Sequence, residues 1–567
     1  MNLIVIFCLC FLAGIVAGNA PKVVLPEYTV IGVDYTTPDG NYANAFFGMP
    51  YAEPPVGELR HEKPVALKES STKIVEAFEY APACLIPLDV PNQSEDCLYL
   101  NVFTPKQPAP EEGYPVLVFI HGGGFSYGSA KIYGGDGFID NFVQQGIVVA
   151  TLQYRLHWFG FLTIGDDDLP GNIGLWDQNA ALKFIHKNIK YFGGNPEEIT
   201  LMGHSAGSAS THAHSISPHS RNLIKRFIPM SGSLYASWAI GDPHNQPFQK
   251  LLNEKLGCPQ KNGAELKKCA KKINASLVTE ISSQLPQVAF DIARLHWRPV
   301  LDKDFFGGKT LDELTEESPH KPVLYGLTSS EAMIMTLSHP NFLTSAFALD
   351  YGITKDQQSS FTLENYHEKM DNLAFKPERT GCQSKLIQEL IEKFYLSNLT
   401  AIRTDPKYYY KSWNNVLSDL GFNVPIHYEI DKKLQAGWKD QYVFLFDWVD
   451  PNEIDPYLGV NQCPHAYDIQ FLTDMRAYSL DKPWTPLQLQ IQKNLVEFFT
   501  NFIKTGNPGE NWPKVTNADK LEYMKISEKM EPGNTFFNKS FLIWKTIIDI
   551  LGYKLNVANG ESLHNYE

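Results

Sequence analysis

Hydrophobic residues in this chain fall in short blocks separated by Gly, Pro and polar positions. Near the start the pattern alternates, as in Tyr28-Thr-Val-Ile-Gly32 and Asn44-Ala-Phe-Phe-Gly48, which predicts short strands and turns. Val116–Ile120, Ile147–Thr151 and Ile199–Met202 are mainly aliphatic and end in Gly, polar or aromatic residues. Runs of this kind predict strands covered on both faces, as in a parallel sheet. Between the second and third, Asp177–Phe192 sets Ala181, Phe184, Ile185, Ile189 and Phe192 at helical spacing. Strand, helix, strand in this order implies a right-handed crossover and an α/β sheet. Helices are also expected near Cys382–Tyr395 and Leu487–Thr505, and Phe541–Leu551, broken by Lys545 and Asp549, reads as an amphipathic terminal helix. No internal repeat or low-complexity tract is found.

Composition narrows the class. With 43% hydrophobic and 20% charged residues, a disordered chain, a collagen and a coiled coil are excluded. The length of 567 residues alone suggests about four domains. Acidic residues outnumber basic ones 63 to 49, a net charge of −14, which opposes binding to nucleic-acid phosphates. The longest basic cluster, Lys267-Lys268 with Lys271-Lys272, reads as a solvated helix face.

Leu3–Val16 is apolar and uncharged, and small residues Ala17 and Gly18 follow it. It is too short for a bilayer span and suits the core of a signal peptide, placed at residues 1–18. The terminal Leu-His-Asn-Tyr-Glu is no ER-retention signal and no lipid-anchor tail is seen, so a secreted or secretory-lumen protein without a stable membrane anchor is expected. Of eight cysteines, Cys8 and Cys10 would leave with the signal. None of the rest forms a C-x-x-C pair, which leaves a zinc or redox site unsupported. The close pairs Cys84/Cys97 and Cys258/Cys269 would make small disulfide loops in an oxidising compartment, and Cys382 and Cys463 would pair with each other or stay free. Sequons at Asn92, Asn274, Asn398 and Asn538 suit the secretory route.

Candidate chemistry begins at Gly203-His204-Ser205-Ala206-Gly207, directly after an expected strand. A G-x-S-x-G turn holds its serine on a sharp strand-to-helix elbow above the sheet, and its glycines stand where a Cβ would collide with passing backbone. The pattern is weak by itself, since chance supplies about 0.2 matches in a chain this long. A second match indeed exists at Gly124-Phe-Ser126-Tyr-Gly128, but the breakers in the Ser-Ala-Lys-Ile-Tyr-Gly-Gly-Asp-Gly that follows oppose a helix. Ser205 is therefore the nucleophile candidate and Ser126 a loop residue. His121-Gly122-Gly123-Gly124 follows the Val116–Ile120 strand, where such a hydrolase places backbone N–H donors for an oxyanion.

With these elements the sequence resembles the type-B carboxylesterase and cholinesterase family. The likeness covers nearly the whole chain and includes Gly48-Met-Pro-Tyr-Ala-Glu-Pro-Pro55, Glu95-Asp-Cys-Leu-Tyr-Leu-Asn-Val102, Asn172-Ile-Gly-Leu-Trp-Asp-Gln178, Asn188–Gly194 and Ser231-Gly-Ser233. It implies the α/β-hydrolase fold: one large domain over residues 19–567, with a mostly parallel central sheet flanked by helices and a gorge to the nucleophile. That replaces the four-domain count. The resemblance also supplies the partners of Ser205. The family histidine corresponds to His465 in Gln462-Cys-Pro-His465-Ala-Tyr-Asp468, where Gln462 replaces a glycine. The acid corresponds to Glu331 in Gly326-Leu-Thr-Ser-Ser-Glu331-Ala332, where Thr328 and Ala332 depart from the motif's Asn and Gly. Asp302 and Asp468 are fallback acids.

By the same correspondence the N–H groups of Gly123, Gly124 and Ala206 form the oxyanion hole, Cys84/Cys97 and Cys258/Cys269 are family disulfides, and Arg60/Glu95 and Arg155/Asp177 are internal ion pairs. Trp238, Leu295 and Trp297 fall where the family builds its acyl pocket, with plain core packing as the competing reading. The implied reaction is acyl transfer from a carboxylic ester to Ser205 and then to water, with no metal or organic cofactor. The family's choline-binding tryptophan lies in the first disulfide loop, yet Leu85–Asp96 holds no aromatic residue and a further aromatic position corresponds to Ile334 and Met335. A quaternary ammonium would find no aromatic face there, so neutral esters are expected instead. His212 and His214 point to different faces of a helix, which opposes a metal site, and His204 reads as a buried neighbour of the nucleophile. The alternatives are a lipase of the same fold and a catalytically weak or inactive, neuroligin-like adhesion protein. Oligomeric state is not readable.

Overall fold

The computed structural model describes residues 20–555 apart from 89–90, 245, 259–260, 286–294, 337–352, 376–379, 454–461, 477 and 479–482. The expected signal segment and the last twelve residues lie outside the described ones.

A large sheet organises the chain. Its strands are β1 (Val33–Thr36), β2 (Tyr42–Pro50), β3 (Tyr99–Thr104), β4 (Tyr114–Ile120), β5 (Val148–Leu152), β6 (Gly194–His204), β7 (Arg226–Met230), β8 (Val323–Thr328), β9 (Gln441–Phe446), β10 (Tyr523–Ile526) and β11 (Met530–Gly533). Their spatial order is β11-β10-β9-β8-β7-β6-β4-β5-β3-β2-β1. Pairings from β5 across to β10 are parallel, and antiparallel pairs complete both edges. The aliphatic runs follow from burial on both faces. In β4, Val116, Val118 and Ile120 join one core, while Leu117 and Phe119 join the other.

Six helices matter below: α1 (Ile173–Asn188), α2 (Ala206–Ile216), α3 (Tyr408–Ser418), α4 (Val424–Gln435), α5 (Pro486–Thr505) and α6 (Asn538–Leu551). Ala181 and Phe184 of α1 and Ala206, Ala209 and Ala213 of α2 cover one face of the sheet, and Leu495, Phe498 and Phe499 of α5 cover the other. α1 starts earlier than its apolar spacing predicted and is followed by a single 3-10 turn, Ile189–Phe192, stopped at Gly193 with φ 82°. The termini of α5 are marked in sequence: Thr485 and Gln488 form a capping box, Pro486 opens the helix and Gly506 closes it in the left-handed region.

After β4 the chain passes to β5 on one side, then returns through α1 to β6 on the other side of β4. In such sheets the crevice at the carboxyl ends of the strands flanking the reversal is the binding position. Gly203 of β6 is in register with Ile120 of β4, and His204 with Met230 of β7, so three loops leave the sheet at one level.

Two expectations need correction. The breaker-rich stretch after Gly128 does form short helices, Ala130–Tyr133 and Asp136–Asn141, because Ser129 caps the first by accepting the Ile132 N–H. Nor is the basic cluster solvated throughout: Lys268 and Lys272 are exposed, but Lys267 and Lys271 lie 3.2 and 2.7 Å from Glu62, with side chains only 21% and 17% exposed. Cys84 is bonded to Cys97 and Cys258 to Cys269, while Cys382 is free and exposed and Cys463 free and buried. Arg60 and Arg155 pair with Glu95 and Asp177 at 2.6 and 2.7 Å. Asn92, Asn274 and Asn398 are exposed. Asn538 is half-buried, its Oδ1 accepting the Leu521 N–H and its Nδ2 donating to Asn534 O. Among the described residues no helix is long and apolar enough to cross a membrane.

Candidate active site

The Gly203–Gly207 turn joins β6 to α2. Ser205 sits at φ 59°, ψ −121°, a conformation that costs a non-glycine residue about 1–3 kcal/mol. It is held there because its N–H donates to Met230 O at 2.8 Å and its carbonyl accepts the Ala209 N–H at 3.1 Å. A Cβ on Gly203 would lie 2.0 Å from Gly207 O, and one on Gly207 2.0 Å from Ile120 O, so neither position admits a side chain. The Ser205 hydroxyl makes no cap to α2 and is left unused by the helix it precedes.

The glycine run after β4 packs against this elbow. A Cβ on Gly122 would stand 2.6 Å from His204 O and 2.9 Å from Ser205 Cβ. Gly123, at φ 117°, turns its carbonyl into the loop to accept the Ser126 and Tyr127 N–H groups. Among the described residues no acceptor takes the N–H of Gly123, Gly124 or Ala206.

The third loop follows β9. His465 is 3% exposed, and its Nδ1 lies 2.6 Å from Glu331 Oε2. Glu331 is fully buried, and its other oxygen accepts from Ser231 Oγ at 2.7 Å and Thr328 N–H at 2.8 Å. The two loops are laced together: Ser330 bridges Pro464, its N–H donates to Cys463 O, and Asn414 of α3 donates to its hydroxyl at 2.6 Å. The departures at 328, 332 and 462 leave Glu331 in place. Thr328 contributes through its backbone, Ala332 N–H is held by Ser418 Oγ, and Gln462 Oε1 accepts from the Ser330 hydroxyl at 3.5 Å. Of the three acids considered, Glu331 is on His465. Asp302 instead accepts the Phe306 N–H, and among the described residues no side chain bonds to either oxygen of Asp468.

A profile of the Carboxylesterase family matches residues 19–544. The chain belongs to the carboxylesterase family. It is a carboxylic ester hydrolase. It is 31% identical to Gut esterase 1 of Caenorhabditis elegans over 573 residues, covering 98% of each chain. It is also 31% identical to an Acetylcholinesterase of Bungarus fasciatus, over 92% of this chain and 86% of that one. Identity to Bile salt-activated lipase of Bos taurus is 28%, over 87% of this chain and 81% of the other.

Within this esterase the remaining candidates separate. Trp238 reaches the elbow: a Cβ on Gly232 would lie 2.4 Å from Ser205 O and 3.0 Å from the Trp238 ring. Its Nε1 donates to Gly421 O at 2.7 Å. Gly421 and Phe422 belong to a π-helical turn, Asp419–Asn423, between α3 and α4, and the Phe422 ring stands 5.7 Å from Trp238 and 5.0 Å from His465. Trp297 is buried against His157 and Phe248, and Leu295 is a half-buried neighbour of the same core. Sequence reasoning missed Phe422, and also Ser231 as the hydroxyl that holds Glu331. His212 and His214 do diverge: His212 faces Glu429, while His214 contacts Gln178 and Ser220.

Proposed function

We propose that this esterase hydrolyses neutral carboxylic esters through an acyl-enzyme on Ser205. His465 takes the hydroxyl proton as Ser205 attacks the carbonyl, and Glu331 orients and stabilises the imidazolium that forms. Gly123, Gly124 and Ala206 present N–H groups to the developing oxyanion. The leaving alcohol departs with the proton from His465, and water then hydrolyses the acyl-enzyme through the same groups. The observation that carries this reading is the 2.6 Å contact of a fully buried Glu331 with His465, made across 134 residues of chain, with the His465 ring 4.7 Å from that of His204, the residue before a strained serine. The aromatic-free Leu85–Asp96 loop favours neutral over choline esters. The apolar Leu3–Val16 segment, the two disulfides and the exposed sequons favour residues 1–18 as a signal peptide and a secreted product.

The test is hydrolysis of p-nitrophenyl butyrate by purified protein beside Ser205→Ala, with butyrylthiocholine as the second substrate. Loss of about 10³-fold or more in the variant is expected, with the choline ester the poorer substrate. Equal turnover by the variant would remove Ser205 from the mechanism, and equal use of both esters would overturn the substrate preference.

A further inference from the structure

His204 ends β6 one residue before the nucleophile and is 1% exposed. Its ring lies on the His465 ring, with centroids 4.7 Å apart and planes tilted by 33°. Its Nδ1 is 3.2 Å from the Tyr133 hydroxyl, and that hydroxyl accepts the N–H of Gly122 at 3.2 Å. Tyr133 is fixed in turn on its one-turn helix, its ring 4.9 Å from Phe119 of β4. Three segments thus meet on one imidazole: the glycine loop through Gly122 and Tyr133, the elbow through the backbone of His204, and the histidine loop through the stacked ring.

Burial keeps Tyr133 a phenol, and burial together with nearby His465 pushes the pKa of His204 well below its ordinary value, so both are neutral. The Tyr133 oxygen accepts the Gly122 N–H and pairs with His204 Nδ1; with the Tyr133 hydrogen in that contact the imidazole proton sits on Nε2, which has no hydrogen-bond partner among the described residues. A neutral ring whose Nδ1 is occupied and which touches no carboxylate is not a second general base.

We propose that His204 is a positioning residue of the reaction: by accepting the Tyr133 hydroxyl and backing His465, it fixes the oxyanion loop and the general base relative to each other. This rests on reading Ser205 and His465 as nucleophile and base. Without His204 the Tyr133 hydroxyl loses its side-chain hydrogen-bond partner, and small displacements of aligned groups cost rate more than binding.

The experiment compares kcat and KM of His204→Phe, His204→Asn, Tyr133→Phe and the Tyr133→Phe/His204→Phe pair on p-nitrophenyl butyrate. Active sites are counted by titration with a fluorophosphonate, so that unfolded protein does not enter the rate. His204→Phe keeps a ring but no acceptor, and His204→Asn keeps an acceptor near Nδ1. His204→Phe and Tyr133→Phe are each expected to lower kcat about 10–100-fold with KM within about twofold. The double variant should be no slower than the slower single one, because both remove the same link, and His204→Asn should recover most of the loss. Wild-type kcat per site in His204→Phe, additive losses in the double variant, or equal losses in Phe and Asn would each overturn the proposal. If Ser205→Ala retains turnover, the reading of the site fails. If that variant is dead while His204→Phe is fully active, only the role of His204 fails.

Discussion

Two buried histidines of this esterase approach a glutamate through Nδ1, His465 to Glu331 at 2.6 Å and His212 to Glu429 at 2.8 Å. Both carboxylates are inaccessible to solvent. They differ in what holds the second oxygen. At Glu429 it is the Lys433 ammonium at 2.7 Å, with the Tyr325 hydroxyl at 3.2 Å, and Lys433 itself is 1% exposed. At Glu331 it is a hydroxyl and a backbone N–H, both neutral. Against the upward push of burial, His212 and then the Lys433 ammonium hold the Glu429 pKa below the usual carboxylate range, while burial lowers the pKa of His212. Among the described residues Glu331 has no such cation as a hydrogen-bond partner, so a positive charge arising on His465 is the one it can stabilise. A buried His–Glu contact is therefore not an active site by itself. It becomes one when the carboxylate is left without its own cation and the ring stands beside a nucleophile.

The largest expected break comes at the first pair. Glu331→Gln keeps the shape but removes the charge and the acceptor that orients Nδ1, so kcat/KM should fall about 10³–10⁴-fold. Thermal melting should barely move. Steady-state rates beside a melting curve check this, and a loss under tenfold would mean that the two pairs differ less than their surroundings indicate.

The second pair should answer the opposite way. Lys433→Met leaves Glu429 buried and uncompensated, which costs about 3–5 kcal/mol of stability. Turnover per titrated active site should stay close to wild type. Adding Glu429→Gln should return much of the stability, because the stranded charge is then gone. A denaturant series with active-site titration measures both. A large fall in per-site rate in Lys433→Met alone would tie this cluster to catalysis and erase the contrast.

What the sequence displayed follows from where the physics is local. Ser205 and the Gly122–Gly124 run were legible because the elbow's constraints act within a few residues: glycines stand where a Cβ would strike backbone. The strands were legible because β4 to β6 are covered on both faces. Glu331 and His465 came only through family likeness, since the Ser330–Pro464 bridge that joins their loops depends on the order of strands in the sheet. Tyr133 was hidden in a stretch whose glycines argued against a helix, and a single capping serine was enough to form one turn. Lys433 carried a misleading signal. A Glu429/Lys433 pair at i, i+4 is ordinarily a surface feature, and here packing against Tyr325 and Trp438 buries it.

Asp468 extends the comparison to a carboxyl group with no side-chain partner among the described residues. It is 1% exposed, three residues past His465, and among the described residues no side chain bonds to its oxygens, the backbone N–H groups of Asp468 and Ile469 being the donors beside it. Burial, reinforced by the charge of Glu331, raises its pKa from 3.8 to about 7. The sign follows directly. Between those two values the folded chain keeps a proton that the unfolded chain has released, so stability falls as pH rises through the window and stays lower above it. Asp468→Asn cannot ionise and removes that loss. Its Tm relative to wild type should therefore be more favourable at pH 8.5 than at pH 5, an effect of a few degrees at most given the size of the chain. Because the amide also lacks buried partners, the absolute Tm is a poor guide, and the difference between the two pH values is the quantity to read. An equal difference at both would mean that Asp468 is ionised at neutral pH with a compensating partner, and the ordering of Glu429, Glu331 and Asp468 by the cation each retains would no longer hold.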